Sequence, residues 1–379
     1  MVGGSNGPTV TIIHIAWLSY HSIIPFLLIP HALFIMAPSK STFLPLVTLS
    51  LASHATAWGA LGHNTVAYIA QSFLSPQTAK YTQGLLNDTS DAYLAHVATW
   101  ADSYRSEPEG KFSAPLHYID AFDSPPESCN VDFERDCPEE GCIVSAIANY
   151  TTRFQDKKLG VDERQKALKW VIHFLGDIHQ PLHVENIAVG GNLINVTFAN
   201  ASTNLHRVWD SNIPEKLIGG YELSDAEDWS TSLIADIKGG KYANASATWL
   251  QDMSVNNSIA SAMHWATDAN AYICSTVLPN GEEEVEGEEL SGAYYDSAIP
   301  VVQLQIAKAG FRLAAWLNLV VTGKTGLEAG EGQGYGYKTG GWKKGGKGGM
   351  VKRGAQLEDW MVEARRVRRA YGWDCGHAH

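Results

Sequence analysis

The stretch that most constrains this chain is "DERQKALKWVIHFLGDIHQPLH", residues 162–183. Its apolar positions recur at helical spacing, yet the most apolar part carries His173 and Asp177. Four residues apart on a helix, both side chains emerge from one face. Pro181 turns the chain, so His183 need not continue that face. His206 and Asp210 in "HRVWD" repeat the spacing; Asp102 lies in "TWADSYR", and His117 follows Pro115 in "APLHYID". A single His–Asp pair of this kind is more often a hydrogen bond than a metal site. Several in one apolar helical body change that reading, because buried Asp and His are costly unless paired or metal-bound. Imidazole with carboxylate suits zinc, and closely spaced zinc ions suit phosphoryl chemistry. His179 lies six residues after His173, on another side of the helix, and reads as a core or supporting group.

Residues 58–322 read as one mostly helical body, an all-α fold with at most a small β element. "HNTVAYIAQSFL", "DAYLAHVATWADSYR", "VSAIANYTTRF" and "VVQLQIAKAGFRLAAWLNLVV" supply further amphipathic or buried helices. Only "GNLINVTFA" has the look of a strand. "PNGEEEVEGEEL" reads as a solvated acidic loop with no further role. A chain of 379 residues, 45% hydrophobic, can bury a full core in one large domain or two small ones. Its formal charge of −12 argues against broad attraction to nucleic acid or anionic membrane. Any phosphate polyanion must be met by local groups such as metals.

The ends read differently from the body. "MAPSKSTFLPLVTLSLASHATA", residues 36–57, has the charge, apolar centre and small residues of a signal peptide cut after Ala57. Residues 1–35 then form an extension upstream of Met36, the expected initiator. Residues 323–379 are Gly-rich and basic, expected to be disordered apart from a short helix in "QLEDWMVEARRVRRAYGW". Such a tail has groups that contact single strands, though a plain flexible tail is the simpler reading. Cys129, Cys137, Cys142 and Cys274 allow two disulfides with three possible pairings, and Cys375 is left over. N-glycosylation sequons begin at Asn87, Asn149, Asn195, Asn200, Asn244 and Asn256. Together these features fit a secreted, extracellular glycoprotein.

"WGALGH", "WADSYR", "LHYID", "HFLGDIHQPLH" and "NLHRVWD" follow one another along residues 58–322. In this the body resembles the fungal secreted nucleases of the S1/P1 type, whose fold is shared with bacterial zinc phospholipase C. The resemblance implies three zinc ions. One is held by Asp102, His117, His173 and Asp177. A second takes the free amino group and carbonyl oxygen of Trp58, with His63, and shares Asp177. The third is held by His183, His206 and Asp210. It further implies that Arg105 meets the charge of the reacting phosphate, and that Tyr118 stacks a base whose edge Asp120 binds. Two zinc ions sharing Asp177 would lower the pKa of a water between them and present hydroxide to phosphorus. The disulfides it implies are Cys129–Cys274 and Cys137–Cys142.

The implied activity is endonucleolytic cleavage of single-stranded DNA and RNA to 5′-phosphate products, with action on 3′-nucleotides. No stable protein partner is implied, and a monomer is expected. The competing readings are a phospholipase C-like phosphodiesterase and a non-catalytic secreted zinc protein. Asp210 favours the nucleases, since the phospholipases carry glutamate there. "CPEEGC" and "WDSNIPEK" lie where the family's other nucleotide contacts vary, so base preference stays open.

Overall fold

The computed structural model describes residues 58–327 together with Val362, Arg365 and Arg366. Residues 1–35 and 36–57, read above as an extension and a signal peptide, lie outside the described residues, as do Cys375 and the rest of the tail. The chain runs through helices α1 (Ala60–Ser72), α2 (Pro76–Leu86), α3 (Trp100–Ser106), α4 (Phe133–Asp136), α5 (Ile143–Gln155) and α6 (Val161–Asp177). It continues through α7 (Ile187–Gly190), a hairpin of β1 (Asn195–Phe198) and β2 (Ala201–Asn204), then α8 (Leu205–Arg207) and α9 (Ile213–Ile218). Three long helices complete it: α10 (Leu223–Lys238), α11 (Ser258–Tyr272) and α12 (Ala293–Thr322). The fold is all-α with a small β element, as the helical periodicity leads one to expect.

Burial explains the arrangement. Every residue of α12 from Gln305 to Asn318 is buried, so this helix forms the axis of the core. α1 lies between α12 and α10, while α6 packs against α5 and α12. Two glycines set the closest approaches. A Cβ on Gly310 of α12 would stand 2.5 Å from Cβ of Ile69, so α1 reaches α12 only because that atom is missing. A Cβ on Gly176 of α6 would stand 2.7 Å from Nδ1 of His63. That second gap brings an α1 histidine onto the face of α6 that carries His173 and Asp177.

Two local expectations differ from the structure. "DAYLAHVATWADSYR" is not one helix: a 3₁₀ turn at Ala95–Val97 precedes α3. Gln71 of α1 accounts for the break, accepting from Leu94 N (3.3 Å) and donating to Asp91 O (2.5 Å), which fixes this backbone outside a helix. Nor is the acidic loop merely solvated. Glu289 accepts the N–H groups of Ala199 and Asn200, each at 2.9 Å, at the tip of the hairpin. Leu290 N and Gly287 N bond to the carbonyls of Thr197 and Asn195 in β1. Ala199 and Asn200 have φ of 52° and 63°, the left-handed pair of a tight hairpin turn.

Cys129 is bonded to Cys274 and Cys137 to Cys142, with sequence separations of 145 and 5. In the chain-entropy account a loop of the first size stabilises by about 5 kcal/mol and one of the second by about 2 kcal/mol. Replacing Cys129 and Cys274 together by serine is therefore expected to lower the urea midpoint far more than replacing Cys137 and Cys142. Equal losses would contradict this.

Candidate metal centre

The ionisable side chains of the centre reach it from seven separate elements. α1 brings His63, α3 brings Asp102 and Arg105, and the 3₁₀ segment Lys111–His117 ends on His117. α6 brings His173 and Asp177 from its last two turns. Beyond it the 3₁₀ turn Pro181–Val184 brings His183, α8 brings His206, and the π-turn Val208–Asn212 brings Asp210. All of these imidazoles and carboxylates are buried.

Asp177 is the hub of the first group. Its Oδ1 lies 3.1 Å from His63 Nε2, and its Oδ2 lies 2.9 Å from His117 Nδ1 and 3.2 Å from His173 Nε2. Asp102 Oδ1 faces His173 Nε2 at 3.5 Å and His117 Nδ1 at 3.9 Å. The His63 and His173 rings stack with centroids 3.9 Å apart. In the second group Asp210 lies 3.1 Å from His206 Nε2 and 3.8 Å from His183 Nε2. Three sets place their ligand atoms within 4.8 Å of one another: His63–Asp102–His173, His117–His173–Asp177 and His183–His206–Asp210.

The donor chemistry fits a divalent metal ion, on evidence internal to the site. His173, His183 and His206 each place Nδ1 on a backbone carbonyl, of Ala98 (2.7 Å), His117 (2.8 Å) and Gly190 (2.6 Å). Those bonds hold the proton on Nδ1 and turn the Nε2 lone pair inward, as metal-ligating histidines require. Meanwhile His63 Nε2, His117 Nε2, His183 Nε2, His206 Nε2, both Asp102 oxygens, Asp177 Oδ1 and Asp210 Oδ2 are buried without a hydrogen bond of good geometry. So many buried polar atoms without a partner in and around these sets are too costly to leave uncompensated.

Electrostatics agree. Burial pushes His117 and His183 down to about 4, so both are neutral and able to ligate at neutral pH. Burial acts the same way on His173, but the carboxylates of Asp102 and Asp177 outweigh it and raise that imidazole to about 10. Burial alone would raise Asp102 and Asp177. His173 overrides it and holds both below the usual carboxylate range. Without an ion, a proton on His173 supplies the positive charge that these carboxylates demand.

The remaining candidates sit around this centre. Arg105 is buried with Nη2 3.7 Å from Asp102 Oδ1, so its charge lies at the edge of the first group. Tyr118 is half-buried and Asp120 buried. Between them Ile119 N donates to His183 O (2.9 Å), so this segment runs alongside both ligand groups. Trp58 is fully buried at the start of α1, and Gly59 N donates to Asp210 O (2.7 Å). All six sequon asparagines are exposed. Asp268 and Arg312 pack around His179, which burial and then Arg312 hold far below the usual imidazole range.

Two polar groups behind the ligands escaped sequence reasoning. Gln180 donates Nε2 to Asp210 Oδ1 (2.5 Å) while its Oε1 accepts from Leu182 N (2.6 Å). Glu185 is buried beside Asp123 and accepts the N–H groups of Asn186 and Ile187 at 2.8 Å each. Nothing in the local pattern marks Gln180; its partner is thirty residues away.

Residues 58–322 match the S1/P1 Nuclease family profile. The chain belongs to the S1/P1 nuclease family. It is 51% identical over 261 residues to Nuclease P1 of Penicillium citrinum, covering 69% of this chain and 97% of that protein. Against Nuclease S1 of Aspergillus oryzae it is 50% identical over 275 residues, 73% of this chain and 96% of that one. Endonuclease 3 of Arabidopsis thaliana is 33% identical over 288 residues, covering 74% and 95%. This S1/P1 family member is thus a nuclease whose described residues bring three His/Asp metal-binding sets into its core. No helix among the described residues is long and apolar enough to cross a membrane.

Burial, and then the neighbouring Asp123, raise Glu185 well above its ordinary value; burial raises Asp123 as well. A carboxyl with a raised folded pKa adds stability that is present below its unfolded pKa and lost as pH rises through the folded one. The parent's urea midpoint is therefore expected to fall relative to that of Glu185→Gln as pH rises above the ordinary carboxylate range, the two being compared at each pH. An unchanged pH slope in the variant would contradict the assignment.

Proposed function

We propose that this nuclease is a secreted zinc enzyme of the extracellular space that cuts single-stranded DNA and RNA to 5′-phosphate products and also dephosphorylates 3′-nucleotides. The observation that carries this reading is the convergence of the three buried His/Asp sets beside a buried arginine and a half-exposed tyrosine. Zinc ions held there supply Lewis acidity and a water of lowered pKa. Asp102, His117, His173 and Asp177 would hold one ion, and His183, His206 and Asp210 another. Trp58 and His63, with Asp177, would hold a third.

The chain's own groups have distinct parts in this scheme. Asp177 presents Oδ1 towards His63 and Oδ2 towards His117 and His173, the two-sided arrangement a bridging carboxylate needs. Arg105 holds a fixed positive charge at the rim, where a phosphodiester gains negative charge as it reacts. Tyr118 offers its ring to one base and Asp120 an acceptor for that base's edge. A base so held has left the double helix, which makes single strands the better substrate. The exposed sequon asparagines suit glycosylation and residues 36–57 suit a cleaved leader, and the reading takes the chain as a monomer.

The test is to purify the chain from culture medium, count its metals, and compare denatured DNA, duplex DNA, RNA and phosphatidylcholine vesicles as substrates. Expected are about three zinc ions per chain, preference for denatured DNA, and 5′-phosphate ends. Release of phosphocholine without any nucleotide release would overturn the nucleic-acid reading. Full metal content with no turnover of any phosphodiester would reduce the site to a structural one.

A further inference from the structure

The turn between the two ligand groups is gripped from outside by charged residues that touch no metal ligand. His179, fully buried in that turn, places Nδ1 2.7 Å from Leu175 O. Its Nε2 lies 2.9 Å from Nη1 of Arg312 on α12. A guanidinium can only donate, so Nε2 accepts and Nδ1 carries the proton to Leu175 O. Arg312 also donates Nε to Trp249 O and Nη1 to Asp268 Oδ2, each at 2.9 Å. Lys308 closes the far side of Asp268 with bonds of 2.8 and 2.9 Å. Gln305, also on α12, donates Nε2 to His179 O at 2.9 Å. Both the ring and the carbonyl of His179 are therefore fixed from α12.

Such an arrangement is hard to explain by stability alone. Buried ion pairs often contribute no more than apolar residues of the same volume. What a buried guanidinium does supply is direction, since its planar fork fixes several acceptors at once. Here those acceptors are His179, a backbone carbonyl and a carboxylate on α11. α6 ends at Asp177, so its own helix holds His173 and Asp177. His183 lies beyond the turn, and Gln180 within the turn holds Asp210. The second ligand group thus depends on the turn in a way the first does not.

We propose that Arg312, Asp268 and Gln305 are positioning residues, which set His183 and Asp210 in register with Asp177 by clamping residues 178–183. The proposal rests on reading the His/Asp sets as metal sites. Its signature is asymmetric: the His183–His206–Asp210 site weakens while the sites around Asp177 keep their affinity.

The test uses the secreted, metal-loaded chain and its Arg312→Met, Gln305→Met and Lys308→Met variants. Chelator titration with metal counting reads each site's hold, cobalt substitution reads ligand geometry by visible absorption, and a urea midpoint reads stability. Arg312→Met is expected to release one metal about 10–100-fold more readily, with the rest unchanged. Gln305→Met, which removes only the bond to the His179 carbonyl and keeps the network's charges, is expected to do the same more weakly. It serves should Arg312→Met fail to fold. Lys308→Met is expected to lower the urea midpoint with wild-type chelation and cobalt spectrum. Parallel loss of all metals with the midpoint, or full retention with an unchanged spectrum in both Arg312 and Gln305 variants, overturns the proposal. A wild-type chain that binds no metal overturns the site reading itself, and is told apart from those outcomes by its own count.

Discussion

Asp177→Asn is expected to lower kcat/KM on denatured DNA by about 10³-fold, a loss of roughly 4 kcal/mol in transition-state stabilisation. The reason lies in what one carboxylate is asked to do. Asp177 faces three imidazoles within 3.2 Å from a fully buried position. Asparagine keeps the shape but turns one oxygen into an NH₂ group, which cannot ligate and which points a donor at a nitrogen. It also removes the negative charge that offsets the positive charge gathered in the core, whether that is a metal ion or the proton on His173. Metal content is expected to fall with activity, while far-ultraviolet circular dichroism stays that of the parent because α6 keeps its packing. A variant within tenfold of the parent, with its metals in place, would sink the bridging role.

The centre was legible in the sequence for a physical reason. An apolar helix that carries His173 and Asp177 at one turn's spacing states its own conflict, and burial of both side chains is the form in which the fold resolves it. His206 and Asp210 read equally well, although the chain between them passes from α8 into a π-turn. Less legible were features decided by partners far along the chain. The segment around Asp91 has helical spacing, but Gln71 claims its backbone groups. Glu289 sits in a run of acidic residues and still binds the hairpin tip. α10 shows the opposite failure. Its buried Ala226, Trp229, Ser230, Leu233 and Ile237 follow a plain helical period, yet no functional residue draws attention to it. Arg312 and Asp268 sit in helices that look like ordinary amphipathic segments. Only the fold brings Arg312 within reach of His179, and that contact is what makes it interesting.

A chain that keeps Ala57 in front of Trp58 is expected to hold one metal fewer than a chain beginning at Trp58, and to be about 10²-fold less active, the loss typical of a poorly held metal. The argument turns on one nitrogen. In a peptide bond the nitrogen lone pair is delocalised into the carbonyl and is not available to a metal. Once the bond before Trp58 is cut, the same atom becomes an α-amine with a pKa near 8, which binds metal after losing its proton. The fold leaves it little freedom to be elsewhere. Trp58 is fully buried, its Cβ would lie only 2.8 Å from a Cβ on Gly62, and the next residue is tied through its N–H to Asp210 O. An extra residue before Trp58 masks this amine. Because a proton competes with the metal for this amine, hold on that ion is expected to weaken as pH falls, more steeply than at sites built from side chains alone. Amino-terminal sequencing, metal counting and activity on denatured DNA, run on both forms, decide the matter. Full activity and a full metal complement in the form that retains Ala57 would remove Trp58 from the ligand set, and His63 would then have to act without it.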